Sequence, residues 1–160
     1  MQSWGLDLVL DANKYQSFAR CYRNKKGAGF IAEIYSGQNE YKECFWDDSL
    51  HAISFFGTGN ITQHKIGEMA DVHLIFFVNI EKLKPLLTNR ADEEIRLDVL
   101  NVLGKGWYGF NLVSTETGIE NVLREYPGTI RDKGLTKVDI HPVHCFRINL
   151  KLNYNKKVCF

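Results

Sequence analysis

The chain has 160 residues, 44% hydrophobic and 24% charged, enough to build one core. No stretch reaches the roughly 18 apolar residues of a membrane-spanning helix. Twenty basic against 19 acidic residues leave a formal net charge of +1, which excludes the strong electrostatic footprint of a protein that grips nucleic acid non-specifically.

Four cysteines, Cys21, Cys44, Cys145 and Cys159, are scattered with no Cys-x-x-Cys. That pattern fits reduced thiols and a cytosolic folding environment rather than a disulfide scaffold. The start, Met-Gln-Ser-Trp-Gly-Leu-Asp, has neither a basic head nor an apolar run of signal-peptide length, so a soluble protein not exported by a cleaved signal is expected.

In chain order, Leu6, Val9 and Leu10, then Tyr15, Phe18, Ala19 and Tyr22, recur at helical spacing and predict one or two short helices up to about Arg23. After the glycine-rich 25–29, the runs Phe30–Tyr35 and Tyr41–Trp46 predict a hairpin through the loop Ser36–Glu40. His51–Phe56 predicts a third strand of the same meander. Gly57–Ala70 holds three glycines and no clear period, and is read as a long loop.

Val72–Val78 is apolar on both faces and predicts the central strand. Asn79 is placed to cap a brief helix Ile80–Lys84, which Pro85 interrupts. A longer helix follows, with Asp92, Glu93 and Glu94 at its positive end, Ile95, Val99, Val102 and Leu103 along one face, and Gly104 at its close. Tyr108–Val113 predicts a strand, and Ile119, Val122, Leu123 and Tyr126 predict a last helix over 116–125, ended by Pro127-Gly128. A polar loop over 129–139 leads into Phe146–Tyr154, where every even position is apolar and every odd one is Arg, Lys or Asn. Such alternation predicts a long strand with one buried face and one wet, cationic face.

Reaction chemistry is sparse. His141 and His144 are separated by an odd number of residues and would diverge from a strand, so no metal site is expected there. His51, His64 and His73 lie on separate segments, and no Gly-x-Ser-x-Gly or recognisable cysteine nucleophile accompanies them. The glycines of 26–29 and 104–106 complete neither phosphate-binding pattern. Asp47-Asp48 ends a strand and Asp92–Glu94 decorates a helix start. No catalytic residue, metal or cofactor is therefore assigned, and the chain is not expected to be an enzyme.

Three stretches, Glu33–Phe56, Ala70–Pro85 and the final strand from Asp139 onward, resemble in organisation the small head-to-tail connector and tail-completion (tail terminator) proteins of tailed bacteriophages. That resemblance covers roughly two-fifths of the chain. It implies a tail-terminator-like fold and a virion component, folded in the host cytoplasm, that forms a ring, commonly a hexamer, at the neck or tail top. The implied partners are further copies of the chain and neighbouring neck, portal-adaptor or tail-tube proteins. Passive contact with DNA in the channel is also implied, and no membrane is.

The resulting expectation is a single α+β domain over residues 1–160: an antiparallel or mixed sheet with two or three helices packed on one face. The subunit interface is expected at Phe55, Phe56, Asn60, His64 and Lys65, with Gly57–Ala70 ordering against a neighbour. A nucleic-acid-binding module is the alternative, using the basic face of Arg147, Lys151, Lys156 and Lys157.

Overall fold

A computed structural model describes residues 14–154 apart from 28, 45, 66, 106–108 and 134–138. The elements run β1 (Tyr15–Lys26), β2 (Gly29–Gly37), β3 (Glu40–Glu43), β4 (Ala52–His64), β5 (Gly67–Asn79), α1 (Ile80–Leu83), α2 (Asp92–Lys105), β6 (Phe110–Thr117), α3 (Ile119–Val122), α4 (Pro127–Lys133) and β7 (Val143–Tyr154). The seven strands form one sheet in the order β3-β2-β1-β4-β5-β7-β6. Every pairing is antiparallel except β1 with β4.

The fold is mostly β, which corrects the expected α+β sheet with helices on one face. The cause lies in the central strands, whose two faces are both apolar over part of their length. On one face Val72, Phe76, Val78, Phe146, Ile148 and Leu150 pack with Ile95 and Val99 of α2. On the other, Ile53, Phe55, Ile75, Phe77 and Cys145 pack under Val122, Leu123 and Tyr126. Each face needs its own cover, so the helices divide between them.

Several local expectations hold. Asn79 caps α1 by accepting from the Lys82 backbone N–H at 3.0 Å. The acidic first turn of α2 and the strands β5 and β7 lie where periodicity places them. Phe76 and Phe146, paired across β5 and β7, stack with centroids 4.8 Å apart.

Others change. Tyr15–Arg23, read as helical, belongs to strand β1, because pairing with β4 over Tyr15–Arg20 and with β2 from Cys21 onward takes up backbone groups that a helix would have bonded internally. The helical spacing of Leu6, Val9 and Leu10 falls outside the described residues. Ser36–Glu40 tightens to a two-residue turn, with Gln38 and Asn39 at φ of 53° and 61°, the twist that matches paired strands. Gly57–Ala70 is not a loop: β4 and β5 stay paired from Ala52↔Val78 to His64↔Gly67. The helix expected over 116–125 is replaced by β6 and the short α3, since Glu116 and Thr117 pair with Arg147 and Phe146. Pro127 starts α4 instead of ending a helix, as a residue with no N–H to lose suits a first helical position.

The strand β7 carries no free edge and no wet face along its middle. It lies between β5 and β6, and residues Val143 to Ile148 are all buried.

Candidate functional site

Along the face covered by α3, the sheet changes character from one end to the other. Antiparallel register aligns Phe55, Ile75, Arg147 and Glu116 in one row across β4, β5, β7 and β6, and Gly57, His73, Asn149 and Ser114 in the next. One row is thus apolar on two strands and charged on the other two, and the row beside it holds one glycine and three polar residues. The turn after α3 brings Arg124, Glu125 and Tyr126 over this boundary.

Arg147 is only 3% exposed, so its charge must be matched within the protein. Its two terminal nitrogens donate to both oxygens of Glu125, with Nη2 to Oε1 at 2.9 Å and Nη1 to Oε2. Its Nε donates to Asn149 Oδ1 at 2.7 Å. Asn149 Nδ2 in turn donates to Ser114 Oγ and Glu116 Oε1, both at 3.0 Å. Arg124 closes the circuit, donating from Nη1 to Glu116 Oε2 at 2.6 Å and from Nε to Glu125 Oε1 at 3.2 Å.

Burial alone would push the Glu125 carboxyl up, but the bidentate Arg147 outweighs it and holds the group at about 2. His73 Nε2 meets the Tyr126 hydroxyl at 3.1 Å. Burial, followed by the nearby Arg147 charge, brings the imidazole down to about 4, so it is neutral at physiological pH. Burial raises the Tyr126 phenol as well.

His73, Ser114, Glu116, Arg124, Glu125, Arg147 and Asn149 line a cavity of about 430 Å³, whose wall Gly59, Asp71 and Lys151 complete. Its contents suit binding rather than covalent chemistry. Ser114 is engaged by Asn149, and the tyrosine beside His73 is held in the phenol form. Cys21, Cys44 and Cys145 are buried elsewhere, with burial raising each thiol, that of Cys21 to about 12.

Of the expected interface residues, Phe55 is 2% exposed and packs in the core against Phe77 and Tyr126. Phe56 is half-buried on the opposite face, beside the α2 core. Asn60, His64 and Lys65 are exposed at the far end of the β4–β5 hairpin. Of the expected basic face, Arg147 is buried and ion-paired and Lys151 is half-buried, while Lys156 and Lys157 lie outside the described residues. Arg147 and Lys151 are therefore not a solvated cationic stripe, because Glu125 and Glu116 cover the first of them.

His141 and His144 part as expected, His141 toward Glu81 and His144 Nδ1 toward Asp139, each at 3.2 Å. Among the described residues no group of three His, Cys, Asp or Glu side chains is placed to hold a metal ion. Sequence reasoning weighed His73 only as an isolated histidine and Asn149 only as part of a wet strand face, and it gave Glu125 no role in a site. A histidine inside the otherwise apolar Val72–Val78 was the available signal for the first. For Glu125 there was none, since its partner lies 22 residues away. Set against protein-family models, curated proteins and solved structures, the chain matches none.

Proposed function

We propose that the chain is a structural subunit of the neck or tail top of a tailed bacteriophage, building a ring that joins head and tail. The observation that carries this reading beyond the resemblance of the sequence is the β4–β5 hairpin. Its residues from Gly59 to Lys65 are all exposed, and Ile61 among them is 53% exposed. A paired but uncovered arm with an apolar residue near its tip is suited to lie against another subunit.

The sheet adds a second support. It is open, with β3 at one edge and β6 at the other, and these edges differ in length and chemistry. Unlike surfaces on one subunit favour head-to-tail contacts, which close into rings when the rotation allows. On the β6 edge, Leu112 and Val113 are 52% and 55% exposed. Neighbouring neck or tail-tube proteins would stack on such a ring, and DNA would pass through it without being read.

Light scattering coupled to size exclusion, with electron microscopy of the same fractions, tests the reading. Closed rings are expected, and Ile61→Asp is expected to give a folded subunit that assembles poorly. A strict monomer at about 100 μM, a concentration at which even contacts of 10 μM affinity would be populated, overturns it.

A further inference from the structure

We infer that the cavity between β5, β6, β7 and the turn after α3 is a binding site for a small oxyanion, a carboxylate or a phosphate, a role that goes beyond ring assembly and does not depend on it. Several hydrogen-bonding groups there are left unused by the protein itself. A guanidinium has five N–H donors. Arg147 commits Nε and one hydrogen on each terminal nitrogen, and Arg124 commits Nε and one on Nη1. Two donors of the first and three of the second are therefore left over. Lys151 lines the same cavity, and among the described residues it forms no ion pair.

Each carboxylate oxygen of Glu116 and Glu125 already holds a donor. Both oxygens of Glu125 are taken by the two arginines. Glu116 is taken by Arg124 and Asn149, and the Asn149 carbonyl by Arg147. What remains is a concavity lined by three cations and three carboxylates, in which both arginines keep N–H groups to spare and Lys151 is bridged by no carboxylate among the described residues. Its volume of about 430 Å³ falls in the range of small-ligand sites.

Preorganisation makes this more than a charged surface. Arg147 is anchored on the floor by Glu125 and Asn149 and has little freedom to lose when an anion arrives. Arg124, half exposed and braced by two carboxylates, stands at the rim. An oxyanion placed between them would accept charge-assisted hydrogen bonds while Glu116 and Glu125 keep their partners. Asp71 is the one lining carboxylate with no cation bound to it among the described residues, although it lies opposite Lys151 in the β5–β7 register. It opposes an anion electrostatically, and this gives the proposal a sign that can be checked.

The full chain, titrated with inorganic phosphate and in parallel with malonate, should show saturable binding of at least one of them by calorimetry and by a rise in melting temperature. The arm that saturates identifies the oxyanion. Lys151→Gln and Arg124→Gln should each weaken that binding about tenfold, as expected for one charge-assisted hydrogen bond. Asp71→Asn, in contrast, should tighten it. Circular dichroism of each variant establishes folding, and Asp71→Asn, which removes only an unpaired charge, keeps the test decisive if the cation variants are unstable. Failure of both probes to saturate, equal affinity in all four proteins, or weaker binding by Asp71→Asn would overturn the inference.

Discussion

His73 and Tyr126 meet, ring nitrogen to hydroxyl, at 3.1 Å over a residue that has no side chain, Gly57. A β-carbon added at Gly57 would lie 2.2 Å from His73 Nε2 and 2.3 Å from the Tyr126 hydroxyl. The two rings occupy the space that any other residue would fill.

Gly57→Ala should therefore destabilise the protein by about 1–3 kcal/mol, the usual cost of overpacking, as read by urea denaturation. Gly104→Ala is the control. That glycine lies in α2 with nothing within 4 Å of an added β-carbon, so the substitution should stabilise by about 0.5–1 kcal/mol.

Removing Glu125 leaves the Arg147 charge buried without its carboxylate. Glu125→Leu alone is expected to cost about 3–5 kcal/mol, whereas Arg147→Met combined with Glu125→Leu should cost distinctly less. A double-mutant cycle built on denaturation curves measures the difference. Additive costs would show that the two charges do not depend on each other.

Acid should destabilise the fold in two overlapping windows. His73 has a folded value of about 4 against an ordinary 6.5, so as pH falls below 6.5 the unfolded chain takes up a proton that the folded one refuses. Stability is lost from there down to about 4. Glu125, held at about 2 against 4.5, stabilises above 4.5, and its contribution fades as pH falls toward 2. Melting temperature should decline from pH 7 to pH 4, and His73→Gln should flatten the upper part of that decline while leaving the lower part in place.

Ile148 and Asn149 lie side by side on β7 yet face opposite layers. Ile148→Asp places an unpaired charge in a fully buried position and should prevent folding or cost several kcal/mol. Asn149→Asp should also destabilise, because the new carboxylate would replace a donor to Glu116 with a repelling charge. Its effect should shrink at acidic pH, where one carboxylate can be protonated, and thermal melts across pH would register this.

That second substitution marks where legibility ended. Alternation in Phe146–Tyr154 showed a strand and its parity, and both are present in β7. Parity divides residues between two faces, but it carries no information about what covers a face. The cover over Arg147 and Asn149 comes from Glu125 and β6, segments more than 20 residues distant. Asn79 and the acidic start of α2 were legible because capping and dipole effects act within one turn.

Gly57–Ala70 was not legible for the opposite reason. From Gly59 to Lys65 the β4 side of the hairpin arm is exposed on both faces, so no burial imposes a period of two there, and its strand character rests on backbone pairing. The aromatic spacing of Tyr15, Phe18 and Tyr22 was misleading in a similar way. A helix-like interval of three or four residues can arise in a strand when some of its side chains are not required by the core.

The parallel seam between β1 and β4 bears on how the chain reaches this structure. The meander β1–β2–β3 and the hairpin β4–β5 each consist of sequence neighbours and can form early and separately. Their joining, from Tyr15↔Ala52 to Arg20↔Phe56, has to enclose both β2 and β3 in one closed loop. The attachment of β7 to β5 must likewise wait for everything between them. A sheet sealed by these two long-range pairings is expected to fold slowly for its size, and the edges of β4 and β5 stay open to other chains until both have formed.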